Sequence, residues 1–120
     1  MIIAHFHLMR DEIPIAGIRE WLCMLRRQRF GKRVEGDSMW PTLRSGDRVL
    51  VDPKAAIHAG DIVVAEHPFK SLQMIKRLLS IEPDGRIFLA GDNPEASSDS
   101  KVFGAIQRKH LLGKVVSRLI

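Results

Sequence analysis

The chain has 120 residues, enough for one hydrophobic core and too few for two. Its 45% hydrophobic and 28% charged residues exclude disorder, collagen and repeat arrays. A single cysteine, Cys23, excludes a disulfide framework and a cysteine-based zinc site, and fits a reducing compartment. The longest stretch without Asp, Glu, Lys or Arg is 1–9, about half of the ~18 apolar residues of a spanning helix. Neither a basic start nor a small-residue cleavage site of the signal-peptide kind is present. The sequence is therefore expected to be soluble and cytoplasmic, without a transmembrane segment, leaving room only for peripheral membrane contact.

The formal charge of +5 raises the question of nucleic acid, and its distribution argues against it. Residues 1–33 hold seven basic residues against three acids, whereas 34–120 hold twelve against eleven. The excess is local, concentrated in Arg26-Arg27-Gln28-Arg29-Phe30-Gly31-Lys32-Arg33. Such runs are usually solvated faces, with membrane-surface or polyanion contact as the alternative. The chain divides accordingly into a basic, amphipathic helical segment, 1–33, and a β domain, 34–120, within one compact unit.

In chain order, Pro14 opens a predicted helix to Gln28, with Ile15, Ile18, Leu22 and Leu25 along one stripe and Gly31 as its stop. Beyond Gly31 come short apolar runs at 48–51, 61–65, 73–81, 87–90 and 115–120. Turn residues divide them, among them Ser45-Gly46-Asp47, Asp52-Pro53, Ala59-Gly60 and Pro83-Asp84-Gly85. This spacing predicts a mostly β, antiparallel body behind one short N-terminal helix.

Three segments could carry chemistry. In Gly36-Asp37-Ser38-Met39-Trp40-Pro41-Thr42-Leu43 a serine sits in a glycine-led, proline-closed loop, by itself an ordinary turn. Met39 and Trp40 are large for a surface turn. They suit a site for an extended apolar peptide or a membrane, and equally a half-buried core anchor. In Gln73-Met74-Ile75-Lys76-Arg77-Leu78-Leu79, period two puts Met74, Lys76 and Leu78 on one face and Ile75, Arg77 and Leu79 on the other. A lysine desolvated between Met74 and Leu78 would lose affinity for its proton, as a general base requires; a lysine snorkelling at a strand edge is the commoner case. The third segment, Gly91-Asp92-Asn93-Pro94 through Lys101, reads alone as a polar loop. Its Ser98 and Lys101 also fit the Ser-x-x-Lys pattern of penicillin-recognising enzymes, whose companion motifs are missing.

Taken together and in order, the three segments resemble the boxes of the type I signal peptidase family of serine–lysine proteases. The resemblance implies Ser38 as nucleophile, Lys76 as general base and Ser97 as the residue that orients the lysine. It implies an oxyanion held by the Ser38 backbone N–H. A side-chain donor two residues earlier is lost, because that position is Gly36. Asp99 matches an acid that pairs with an arginine in the family, and here Lys101 stands in the arginine's place. Met39, Trp40 and Pro41 fall where substrate would bind. No metal and no cofactor is implied, and the five histidines lack ligand spacing. Within the family the chain most resembles the compact maturation proteases of nickel-type superoxide dismutases, which implies a precursor protein as substrate. A self-cleaving regulator of the SOS-repressor type, cutting at Ala16-Gly17, is the alternative, and a small basic binding module is a third. The sequence fixes no oligomeric state.

Overall fold

The computed structural model describes residues 17, 18, 29–96 and 100–119. The predicted helix lies outside them except for Gly17 and Ile18, and so do Ser97 and Asp99. Six strands build one antiparallel sheet: β1 (Phe30–Arg33), β2 (Arg48–Asp52), β3 (Ile62–Glu66), β4 (Gln73–Ile81), β5 (Ile87–Ala90) and β6 (Leu111–Leu119). Their order across the sheet is β1-β2-β6-β3-β4-β5. A mostly β, antiparallel fold is thus what the sequence pattern anticipates, and the five apolar runs coincide with β2 to β6. The sheet begins earlier than those runs, at Phe30. Among the described residues β1 is an edge strand with one partner, β2, and its largely exposed side chains, two of them basic, give it no alternating apolar signal.

Strand alternation sends successive side chains to opposite faces and so makes two cores. On one face Ile62, Val64 and Ile75 pack with Val49, Val51 and Val115, and with Val34, Met39 and Leu43 from the loop after β1. On the other, Val63, Ala65, Met74 and Leu78 pack with Ile87 and Leu89, and with Ile57, Phe103 and Ile106. The sheet therefore separates Met39 and Leu43 of the Ser38 loop from residues 100–106, the later part of the segment that follows β5. That later part carries a one-turn helix, Ser100–Phe103, whose buried Ser100 hydroxyl accepts the Leu89 N–H at 2.7 Å. Beyond it Ile106 and Ile87 exchange backbone hydrogen bonds at 2.8 and 2.9 Å. The outer edge of β5 is thereby covered.

Candidate active site

One cleft, of about 170 Å³, is lined by Ser38 and Met39, by residues 32–35 at the end of β1 and by residues 72–76 at the start of β4. In the sheet order β1 and β4 stand four strand spacings apart, roughly 19 Å if the sheet were flat. Lining one small cleft together requires the sheet to coil, as twisted sheets do. Lys76 is only 6% exposed, on the β4 face shared by Met74 and Leu78, as strand alternation anticipates. The structure thus brings Ser38 and Lys76 to the same cavity from positions 38 residues apart.

Strand pairing leaves the main chain of this cleft partly open. β3 covers one side of Gln73 to Arg77, and β5 pairs with the other side only from Arg77 onward. Among the described residues no strand pairs with the second side of Gln73–Lys76, nor with the outer side of β1. Two backbone edges that no described strand covers thus border the cleft.

A polar clamp fixes the Ser38 loop to β4. Arg77 donates from Nε and Nη2 to the two carboxylate oxygens of Asp92, at 3.2 and 2.6 Å. Its Nη1 donates to the Gly60 carbonyl at 2.8 Å. The Thr42 hydroxyl donates to the same carboxylate at 2.6 Å. Burial pushes the Asp92 carboxyl up, but the hydrogen bonds from Arg77 and Thr42 and the guanidinium charge outweigh it and hold it below the ordinary value. Asn93 adds a second tie, donating from its backbone N–H to the Ser38 carbonyl at 2.9 Å and from Nδ2 to the Asp37 carbonyl at 3.0 Å. Gly91-Asp92-Asn93 therefore acts on Ser38 by holding its loop. Sequence reasoning placed these residues in a box but gave Arg77, Thr42, Asp92 and Asn93 no task. The available signal was the arginine next to Lys76, which strand alternation turns to the opposite face.

The other predicted residues divide. Gly36 has φ +78°, a left-handed conformation that explains glycine there irrespective of an oxyanion donor. Met39 is 1% exposed and belongs to the core while lining the cleft. Trp40 is half exposed and joined to Pro41 by a cis peptide bond; neither lines the cleft. Lys101 lines a separate cavity of about 640 Å³ with Phe88 and Pro94. The calls on Ser97 and Asp99 lie outside the described residues. No helix among the described residues is long and apolar enough to cross a membrane. Among the same residues, no group of three His, Cys, Asp or Glu could hold a metal ion.

Known proteins resemble this chain in sequence. A family model for peptidase S24-like proteins matches residues 10–116. Mitochondrial inner membrane protease subunit 1 of Xenopus tropicalis is 32% identical over 108 residues, covering 70% of this chain and 65% of that protein. The subunit 1 of Schizosaccharomyces pombe is 32% identical over 137 residues, covering 93% and 87%. The probable signal peptidase I-1 of Synechocystis is 26% identical over 165 residues, covering 94% and 83%. The chain thus spans just under two thirds of the Xenopus relative's length. The likeness defines the class, that of the signal-peptidase-like proteins. The chain belongs to the peptidase S24-like family.

Proposed function

We propose that the chain is a serine–lysine endopeptidase that removes an N-terminal propeptide from a precursor protein. The observation that carries this reading is a lysine only 6% exposed in the cavity that also holds Ser38. A general base needs the free amine, and a desolvated site is the setting in which a lysine can supply it. In the proposed cycle Lys76 Nζ takes the Ser38 hydroxyl proton as Ser38 Oγ attacks the scissile carbonyl carbon. The Ser38 backbone N–H stabilises the oxyanion. Collapse breaks the peptide bond, and Lys76 returns the proton to the departing amine. Lys76 then deprotonates the water that attacks the acyl carbonyl and passes that proton to Ser38 Oγ as the ester bond breaks, which frees the acid and restores both residues.

The precursor binds as an extended strand between the open edges of β1 and β4, whose main-chain groups set its register without reading its side chains. The relatives, a probable signal peptidase and an inner membrane protease subunit by name, favour a precursor over a general protein diet. A nickel-type superoxide dismutase precursor is the candidate substrate, on the sequence resemblance given above. Ser97 is the proposed orienter of Lys76, and the proposed setting is cytoplasmic.

The experiment is co-expression with that precursor, followed by N-terminal analysis of the product, for the parent, Ser38→Ala and Lys76→Ala. Cleavage by the parent alone is expected. A variant cutting at the parental rate would falsify the dyad. Processing of other precursors but not this one would remove the nickel assignment. Intact mass of the enzyme after incubation reports self-cleavage at Ala16-Gly17, the outcome that would favour a self-cleaving regulator.

A further inference from the structure

The connection between β3 and β4, residues 67–72, forms the rim of the cleft through Leu72. His67 ties this rim together. Its Nδ1 accepts the Phe69 N–H at 3.0 Å. Its backbone N–H donates to the Leu72 carbonyl at 2.8 Å, and the Leu72 N–H donates to the Lys70 carbonyl at 2.8 Å. The imidazole also packs outward. Its centroid lies 6.1 Å from the Phe69 ring in an edge contact, and 5.0 Å from Phe103, a buried residue of the helix Ser100–Phe103. One ring therefore joins the cleft rim to the segment that follows β5. An imidazole that accepts at Nδ1 is neutral, with its proton on Nε2.

We propose that His67 is a positioning residue of the peptidase cleft, holding the rim and Leu72 in place only while its imidazole is neutral. Its consequence for catalysis rests on the Ser38–Lys76 reading; its consequence for the rim does not. Adding a proton at Nδ1 turns the acceptor into a donor, so the Phe69 N–H faces an N–H and their bond is lost. The new charge stands among cations. Lys70 comes from the rim itself and Lys76 from β4, while Lys101 is the basic residue of the helix that carries Phe103. Glu66, the last residue of β3, is the neighbouring acid. Burial first, then the charge of Lys70, and that of Lys76 whenever its amine is protonated, hold His67 below its ordinary value of 6.5. Protonation is thus resisted at neutral pH and reached on acidification.

Two substitutions separate the acceptor from the titration. His67→Asn keeps an oxygen that accepts the N–H two residues on, as asparagine does in Asx turns, and has no proton to gain. His67→Ala removes the acceptor. Backbone amide NMR of the full chain between about pH 8 and about pH 5 should show the Phe69 and Leu72 amides moving with the midpoint of the His67 ring. In His67→Asn neither amide should titrate. With a cleavable precursor, His67→Ala should lose about ten-fold in kcat/KM at about pH 8, and His67→Asn should recover most of that loss. His67→Asn should also keep more of its rate than the parent on acidification. The proposal is overturned if the ring titrates while the Phe69 and Leu72 amides stay still, or if His67→Asn retains the parent's acid loss. The amide measurement needs no substrate, so a parent that cleaves nothing counts against the Ser38–Lys76 dyad alone.

Discussion

The two halves of β4 contrast within nine residues. The first, Gln73 to Lys76, pairs with β3 on one side and faces the cleft on the other. The second pairs with β5 through Ile81, while Leu78 exchanges backbone hydrogen bonds of 2.7 Å with Gly60 and Asp61 on the β3 side. Arg77 is the crossing point, the one residue in register with both β3 and β5. The open half carries the buried lysine, and the closed half begins with the arginine clamped to Asp92. The proposed reactivity thus sits where the ladder of described strands is unfinished, and rigidity is supplied by the adjacent residue. Substitutions at neighbouring positions should therefore separate into those that stop chemistry and those that loosen structure.

The largest effect belongs to the open half. Lys76→Met keeps the side-chain volume and removes the base, so cleavage should fall by about 10³-fold, within the range that general-base catalysis contributes. Thermal stability should hold or rise, because a polar head on a nearly buried side chain is replaced by an apolar one. A variant that loses activity only in proportion to lost folded protein would break the contrast.

Next comes a position remote from the cleft that holds the centre of the sheet. A Cβ at Gly113 of β6 would lie 2.6 Å from Val51 Cγ1, 2.9 Å from the Asp52 carbonyl oxygen and 3.0 Å from Pro53 Cα. Two of these are backbone atoms of β2 and the turn after it, beside the register shift between Leu50 and Val51, and cannot rotate away. Gly113→Ala should cost about 2–3 kcal/mol, the scale of overpacking. A denaturant midpoint should fall clearly, while kcat/KM of the remaining folded protein stays near the parent's.

Strands were easier to read than their consequences. β2 to β6 are short apolar runs between turn residues, and burial makes such runs visible. β1 was invisible as a strand because Phe30-Gly31-Lys32-Arg33 uses only its backbone on β2 and leaves its side chains largely in solvent. The opposite faces of Met74 and Ile75 follow from period two alone, and the two cores agree with it. That Ser38 and Lys76 line one cleft was implied only by the likeness of whole boxes, since nothing in the sequence measures a distance between strands. Met39 had two open readings, core anchor or cleft wall, and it serves as both. The Arg77–Asp92 clamp escaped notice because a salt bridge between a strand and a later loop leaves no periodic trace. Rim contacts of His67 are of the same kind, set by a turn closing on itself.

A smaller effect should follow from Asp92→Asn, which leaves the shape of the clamp but removes its charge. Arg77 and Asp92 have about 17% and 18% of their side chains exposed, so screening is incomplete and the loss should reach about 1–3 kcal/mol. The sign in pH is fixed by the depressed carboxyl. Its stabilisation is complete above the ordinary value of 3.8 and disappears as pH falls through the lower folded value. The parent should therefore lose stability in strong acid more steeply than Asp92→Asn does. Thr42→Val removes one neutral donor and should cost about 0.5–1.5 kcal/mol. If both substitutions lower kcat/KM more than stability, the clamp sets the Ser38 geometry, which is the sharper form of the contrast between the two halves of β4.

The smallest effect is expected in β6, at a residue that neither lines the cleft nor joins the clamp. Ser117 of β6 is 1% exposed, and its hydroxyl has no hydrogen-bond partner among the described residues. In the unfolded chain water solvates that hydroxyl, so folding strips it without return, at a cost of about 1–3 kcal/mol for an unsatisfied buried group. Ser117→Ala deletes the orphaned oxygen and leaves a void smaller than a methyl group. The two terms oppose each other, and the first is the larger, so stability should stay level or rise by up to about 1 kcal/mol. Urea denaturation with an unchanged slope measures it. A fall of more than about 1 kcal/mol would mean that the hydroxyl is satisfied after all, and the centre of the sheet would then hold a polar contact comparable to the clamp.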